Sequence, residues 1–256
     1  MVYGFVPGPE QINTNIPMSK GSVTAGNAIG ILELDIRLVC VPGNVSNSTT
    51  FNFPVVHKIL KGSALQQIFN ADPALLDLIV EGGKELEKQS VRAITGACGY
   101  FGNYQKEAAA MLDVPVFLSS LLQVQIIRQG LKPNQKVGVI RAEANSLTPK
   151  LLNQCGVDDL SGIVVAGAQD LPEFRKSIIK LRGPFNSHKI EQELVELAKQ
   201  LISDNPDTGA ILLECSDMPP YAWAIQNAVR LPVFDFTTLI NWVYSAVVRR
   251  PFAGFM

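Results

Sequence analysis

Histidine is nearly missing from this chain: His57 and His188 are the only two in 256 residues. Zinc sites draw mainly on histidine and cysteine. Two distant histidines and four cysteines, none in a C-x-x-C pair, argue against a metal centre. Charge is scarce too. Charged residues make up 18% and the net charge is −1, so the total carries no electrostatic footprint for nucleic acid. No apolar run reaches the roughly 18 residues of a membrane helix. The opening stretch MVYGFVPGPEQINTNIP lacks the basic start, apolar core and cleavage site of a signal peptide. A cytoplasmic location is therefore expected, with free thiols and no glycan on the sequons at Asn44 and Asn47. No strand is followed by GxGxxG, and there is no Walker A pattern. Rossmann-type nucleotide binding and P-loop chemistry thus lack support.

What is present is apolar and periodic. Apolar residues make up 47%, enough for one large domain or two modest ones. AIGILELDIRLV at 28–39 reads as a strand with an extended exit, and PGNVSNSTTFNFP at 42–54 as a polar loop. Leu75, Leu76, Ile79, Val80 and Leu86 share one side of a helix over 73–89. VRAITGA leads to Cys98, and helical stretches follow around 104–112 and 119–129. KVGVIR at 136–141 starts a second series: helix to about Gln154, strand SGIVVAG, short helix around 171–180. A long helix at 188–203, with Ser187 as its cap, precedes GAILLE and Cys215. Strands alternating with helices predict an α/β fold with mostly parallel sheets.

Offset by 117 positions, the spacing of Cys98 and Cys215, the chain resembles itself. Ala93-Ile94 falls on Ala210-Ile211, Tyr104 on Tyr221, and Pro115-Val116-Phe117 on Pro232-Val233-Phe234. Duplication implies two similar lobes facing each other across a cleft. Each cysteine ends a strand just before a helix, the place where the crevice of an α/β sheet opens. Free backbone N–H groups at a helix start favour a thiolate or a bound carboxylate.

The pair of strand-Cys-loop-helix units resembles the aspartate/glutamate/hydantoin racemase superfamily. The resemblance covers most of the chain and rests on IGILELD at 29–35, PGNVSNSTTFNFPVV at 42–56, TGACG at 95–99, KVGVIRAEANSLTPKLL at 136–152 and LECSDMPP at 213–220. It implies two pseudo-symmetric α/β lobes, here 1–130 plus 231–256 and 131–230, with the active site between them. It implies cofactor-free, PLP-independent inversion of an amino acid, hydantoin or related carboxylate, in which Cys98 and Cys215 work as thiolate and thiol on opposite faces. A positioned base contributes roughly 10²–10⁴-fold, so donors for the developing charge are needed as well. The candidates are Asn44, Asn145, Ser146 and the backbone at Gly99 and Ser216. A cytoplasmic homodimer is the family-level expectation, with no nucleic-acid or membrane partner.

The sequence departs from that pattern in places. Gly99-Tyr100 and Ser216-Asp217 follow the cysteines where relatives acting on aspartate or glutamate often carry Asn-Thr and Thr-Glu. Asn44 stands where many have Asp. Asp217 could tune Cys215 or serve as a solvated or capping carboxylate. Cys40 and Cys155 read as structural, His57 and His188 as satisfied or surface groups, and Trp223 and Trp242 as core or interface. Two other readings stay open: a decarboxylase or cis–trans isomerase of the same fold using one cysteine, and a non-catalytic protein that binds a small acid.

Overall fold

The computed structural model describes residues 15, 18 and 21–256. Apart from Asn15, the N-terminal stretch tested for a signal peptide lies outside the described residues. Among the described residues no helix is long and apolar enough to cross a membrane.

β1 (Ile29–Leu34) is almost wholly buried, as a strand covered on both faces must be. It is followed by β2 (Val55–Leu60), α1 (Leu65–Phe69) and α2 (Ala74–Lys88). Leu75, Ile79, Val80 and Leu86 form the buried stripe of α2. Gly82 and Gly83 interrupt it for a packing reason. A Cβ at Gly82 would lie 2.6 Å from Leu60, and one at Gly83 2.5 Å from Leu112, so the glycines let α2 settle close to its neighbours. β3 (Ala93–Gly96), α3 (Gln105–Met111), β4 (Val116–Phe117) and α4 (Val124–Gln129) complete the first half.

The second half repeats the plan with β5 (Lys136–Arg141), α5 (Pro149–Gln154), β6 (Ile163–Gly167) and α6 (Pro172–Phe174), which runs on into a π-helical turn at Arg175–Ile179. Then come α7 (Ser187–Asp204), β7 (Thr208–Leu213), α8 (Ala222–Val229), β8 (Val233–Phe234) and α9 (Phe236–Val247). The cap of α7 is Asn186, whose side chain accepts from the Lys189 N–H. Ser187, expected in that role, sits inside the first turn and pairs its hydroxyl with Tyr221.

Two four-stranded parallel sheets result, in the orders β2-β1-β3-β4 and β6-β5-β7-β8. The offset of 117 carries β4 onto β8 residue for residue, and the start of α3 onto the start of α8. The fold is thus α/β, with two pseudo-symmetric lobes. The terminal helices of the halves cross over. Leu121, Val124 and Ile127 beside and within α4 pack with Val137, Val139 and Leu212 of the second sheet. Phe236, Leu239, Ile240 and Val243 of α9 pack with Ile29, Ile31, Phe51 and Phe53 of the first. β8 stays paired with β7, and the chain recrosses at Asp235, which caps α9. Trp223 and Trp242, read as core or interface groups, stand 77% and 52% exposed, because each falls off the buried face of its helix.

Candidate active site

Cys98 and Cys215 each lie two residues beyond a strand, β3 and β7, which pair with β1 and β5 at the middle of their sheets. The structure brings them together. Both line one cavity at the carboxyl ends of the strands. Each sulfur accepts from the backbone N–H two residues on, Tyr100 for Cys98 and Asp217 for Cys215. Burial still wins over those contacts. It pushes the Cys98 thiol up, with the Glu214 charge adding to it, and it pushes Cys215 well up, with Asp217 adding to it. The two sulfurs are close enough that charge on Cys98 opposes charge on Cys215.

Of the expected polar contacts, Gly99 and Ser216 line this cavity. The Ser216 hydroxyl donates to the Ala97 carbonyl at 2.7 Å, tying the turn after one cysteine to the strand end before the other. Asn44 is buried just behind the cavity wall. Its side-chain amide donates to Asp217 Oδ1 at 2.6 Å, and its Oδ1 accepts from the Ser46 N–H at 2.8 Å. Cys215 in turn donates to Asp217 Oδ2 at 3.6 Å. Asp217 is thus half-buried and is not a cap. It is a cavity-lining carboxylate held between Asn44 and a thiol, and burial raises its pKa.

Asn145 does not reach the cysteines. It is exposed, in the turn at 144–146, and lines a separate cavity with Gln169, Asp170 and Lys180. Ser146 is half-buried, within electrostatic reach of the Tyr100 hydroxyl but without a hydrogen bond to it. Cys155 is buried in the core of the second sheet, as expected. His57 bridges Glu33 at 2.8 Å and Ser48 at 3.0 Å, pinning the 42–54 loop to β1. Tyr104 donates to the Asp72 carbonyl at 2.7 Å, and Tyr221 pairs with Ser187, so each repeated tyrosine anchors its own lobe.

Sequence reasoning missed the charges behind the cavity. Arg141 and Glu214, both fully buried, face each other at 3.1 Å. Arg141 also lies over the Tyr100 ring, 4.7 Å from its centroid. Arg141 Nε and Nη1, Glu214 Oε2 and the Tyr100 hydroxyl are buried with no hydrogen-bond partner. The signal was readable: KVGVIR and GAILLE are apolar strands that each end on a charge. Ile140 pairs with Leu213, so those two ends are neighbours.

The molecule is similar in fold to unliganded arylmalonate decarboxylase, with a TM-score of 0.56 at 14% identity over 86% of this chain and 92% of that one. Allantoin racemase from Klebsiella pneumoniae gives 0.54 at 15% identity, over 89% and 95%. Glutamate racemase from Francisella tularensis gives 0.52 at 14%, over 89% and 85%. The fold is that of the aspartate/glutamate/hydantoin racemase superfamily. No protein-family model matches the chain. The sequence relatives decide the matter. Dimethylsulfoniopropionate lyase 7 of Emiliania huxleyi is 30% identical over 237 residues, which is 89% of this chain and 69% of that protein. The chain belongs to the dimethylsulfoniopropionate lyase family. A second member, from Durusdinium sp. clade D, is 29% identical over 89% of this chain and 77% of its own length. A third, lyase 5 of Emiliania huxleyi, is 29% identical, and the chain spans 49% of it.

Membership in this family corrects the activity expected from the resemblance. The racemase and hydantoin-racemase reading, and with it the isomerase class, give way to relatives that are lyases. The reason is chemical. A thiol pair at a carbon α to a carboxylate serves any reaction that begins with proton removal there. The fate of the resulting carbanion depends on the group at the next carbon, and the cysteine motifs do not encode it.

Proposed function

We propose that this chain is a carbon–sulfur lyase acting on dimethylsulfoniopropionate or a close β-sulfonium carboxylate, with no cofactor. The observation that carries the reading is that both cysteines of a lyase-family chain line one cavity. Cys215, as thiolate, takes the proton from the carbon α to the carboxylate. The C–H electron pair becomes the new double bond, and the C–S bonding pair leaves with sulfur. The products are acrylate, neutral dimethyl sulfide and a protonated Cys215.

Asp217 raises the Cys215 thiol by its charge but also gives it a proton acceptor. It accepts from that thiol, and it lines both the inner cavity and an adjoining outer one, so it can pass the proton to solvent. Cys98 has no such acceptor. A neutral sulfide departs without being protonated, so elimination needs one base and no acid. Cys98 then serves as a neutral thiol wall opposite the base. The backbone N–H groups at Gly99 and Ser216 are the proposed donors to charge developing on the carboxylate.

The test is release of dimethyl sulfide and acrylate from dimethylsulfoniopropionate by wild type, Cys215→Ser and Cys98→Ser. Loss of the base should cost about 10²–10⁴-fold in kcat, with Cys98→Ser losing far less. No dimethyl sulfide from the wild type sinks the reading.

A further inference from the structure

Two residues lining the cysteine cavity carry a buried polar atom with no hydrogen-bond partner: Glu214 at Oε2 and Tyr100 at its hydroxyl. Glu214 at least has Arg141 on its other oxygen. The Tyr100 hydroxyl has nothing, although the residue is only 3% exposed. An unpaired buried hydroxyl costs stability, so such a group calls for a partner from outside the protein. The ring that carries it is fixed. Phe69 meets it edge-on, centroids 5.0 Å apart at 82°, and the Arg141 guanidinium lies over its face. The Tyr100 backbone N–H donates to the Cys98 sulfur, which sets the residue beside the thiol.

Burial, with the Glu214 charge adding to it, raises the phenol above its ordinary 10.0, so at neutral pH the group is a neutral donor. Arg141 acts the other way, drawing electron density from the ring and making the O–H a stronger donor. A β-sulfonium carboxylate brings one class of acceptor. Its sulfonium sulfur and methyls accept no hydrogen bond, and its carboxylate oxygens accept strong ones. Resting on the lyase reading, we propose that the Tyr100 hydroxyl donates to the substrate carboxylate, as a third donor beside the Gly99 and Ser216 N–H groups. As the α-proton leaves, negative charge moves onto those oxygens and the bond tightens. Glu214, a like charge on the same wall, is offset by Arg141, whose Nε and Nη1 are still unspent. Tyr100 is then a catalytic residue that neither gives nor takes the proton.

Tyr100→Phe removes the oxygen and keeps the ring. Cleavage of dimethylsulfoniopropionate, binding of acrylate by calorimetry, and Tm are measured on the full chain, wild type and variant. Acrylate should bind about tenfold more weakly to the variant. The fall in kcat/KM should be larger, about a hundredfold, because the bond is stronger in the transition state. Tm should hold or rise, since the resting protein loses no hydrogen bond. A lower Tm would mean that the hydroxyl bonds within the protein, and it overturns the assignment. So does acrylate that binds both proteins alike or binds neither. Wild-type cleavage with an unchanged kcat/KM in the variant removes Tyr100 and leaves the lyase reading standing. No wild-type cleavage removes the lyase reading, and the acrylate titration alone then decides whether Tyr100 holds a carboxylate.

Discussion

Arg141 Nη2 and Glu214 Oε1 lie 3.1 Å apart, and neither side chain is exposed to solvent. The pair joins the ends of two adjacent strands directly behind the cysteines. Removing one partner leaves the other charged and buried, which typically costs about 3–5 kcal/mol. Arg141→Met should lower unfolding free energy by that amount in urea denaturation. Adding Glu214→Leu should recover most of it, because the double variant buries no charge at all. Additive losses in the two single variants would show that the pair is not a unit.

Asn44 reaches Asp217 at 2.6 Å from a loop far away in sequence. A hydrogen bond to a charged group contributes about 1.5–3 kcal/mol. Asn44→Ala should reduce kcat/KM for dimethylsulfoniopropionate about tenfold or more and lower the unfolding free energy by about 1.5–3 kcal/mol. Unchanged kinetics would mean that Asp217 needs no orienting partner.

Gly99 is where the two halves touch. A Cβ there would lie 2.5 Å from the Glu214 carbonyl oxygen, backbone that cannot swing away. Gly99→Ala should cost about 1–3 kcal/mol of stability, seen as a lower Tm. It should also depress activity, because relief of the clash moves Cys98 away from Cys215. A variant as stable and active as wild type would mean that the lobes separate easily.

Stability should fall in alkali. Burial holds the Cys155 thiol up at about 12 against an ordinary 9.0, and the Tyr104 hydroxyl up at about 12 against 10.0. Above pH 9 the unfolded chain loses these protons while the native state keeps them. The unfolded state then binds fewer protons, so unfolding becomes easier as pH rises. The stabilisation is complete below pH 9 and is lost progressively toward pH 12. Tm measured across pH 8–11 should decline, and Cys155→Ala should decline less steeply whatever its starting Tm. Parallel slopes would exclude Cys155 as a contributor.

Local signals in the sequence were enough for the elements. Apolar runs of four to six residues between helical patterns marked the strands, and Leu75, Ile79 and Leu86 marked α2. The offset of 117 exposed the duplication, because β4 and β8 occupy equivalent places and kept the same Pro-Val-Phe. The cysteines could be picked out for the same reason, each standing at a strand end before a helix. Asn145 was misplaced from the same kind of evidence. A loop residue after a strand can face either side of its turn, and nothing local says which.

By itself, then, the sequence determined the α/β pattern, the repeat and the two thiols, since each depends on residues close together in the chain. Tertiary structure decided which sheet α4 and α9 cover, because an apolar helix face does not name its partner. It also decided what surrounds the thiols. Asn44 and Asp217 are 173 residues apart, and Arg141 and Glu214 are 73 apart. Only folding brings such groups into one low-dielectric cleft, where each charge, and each thiol proton, is set by its neighbours.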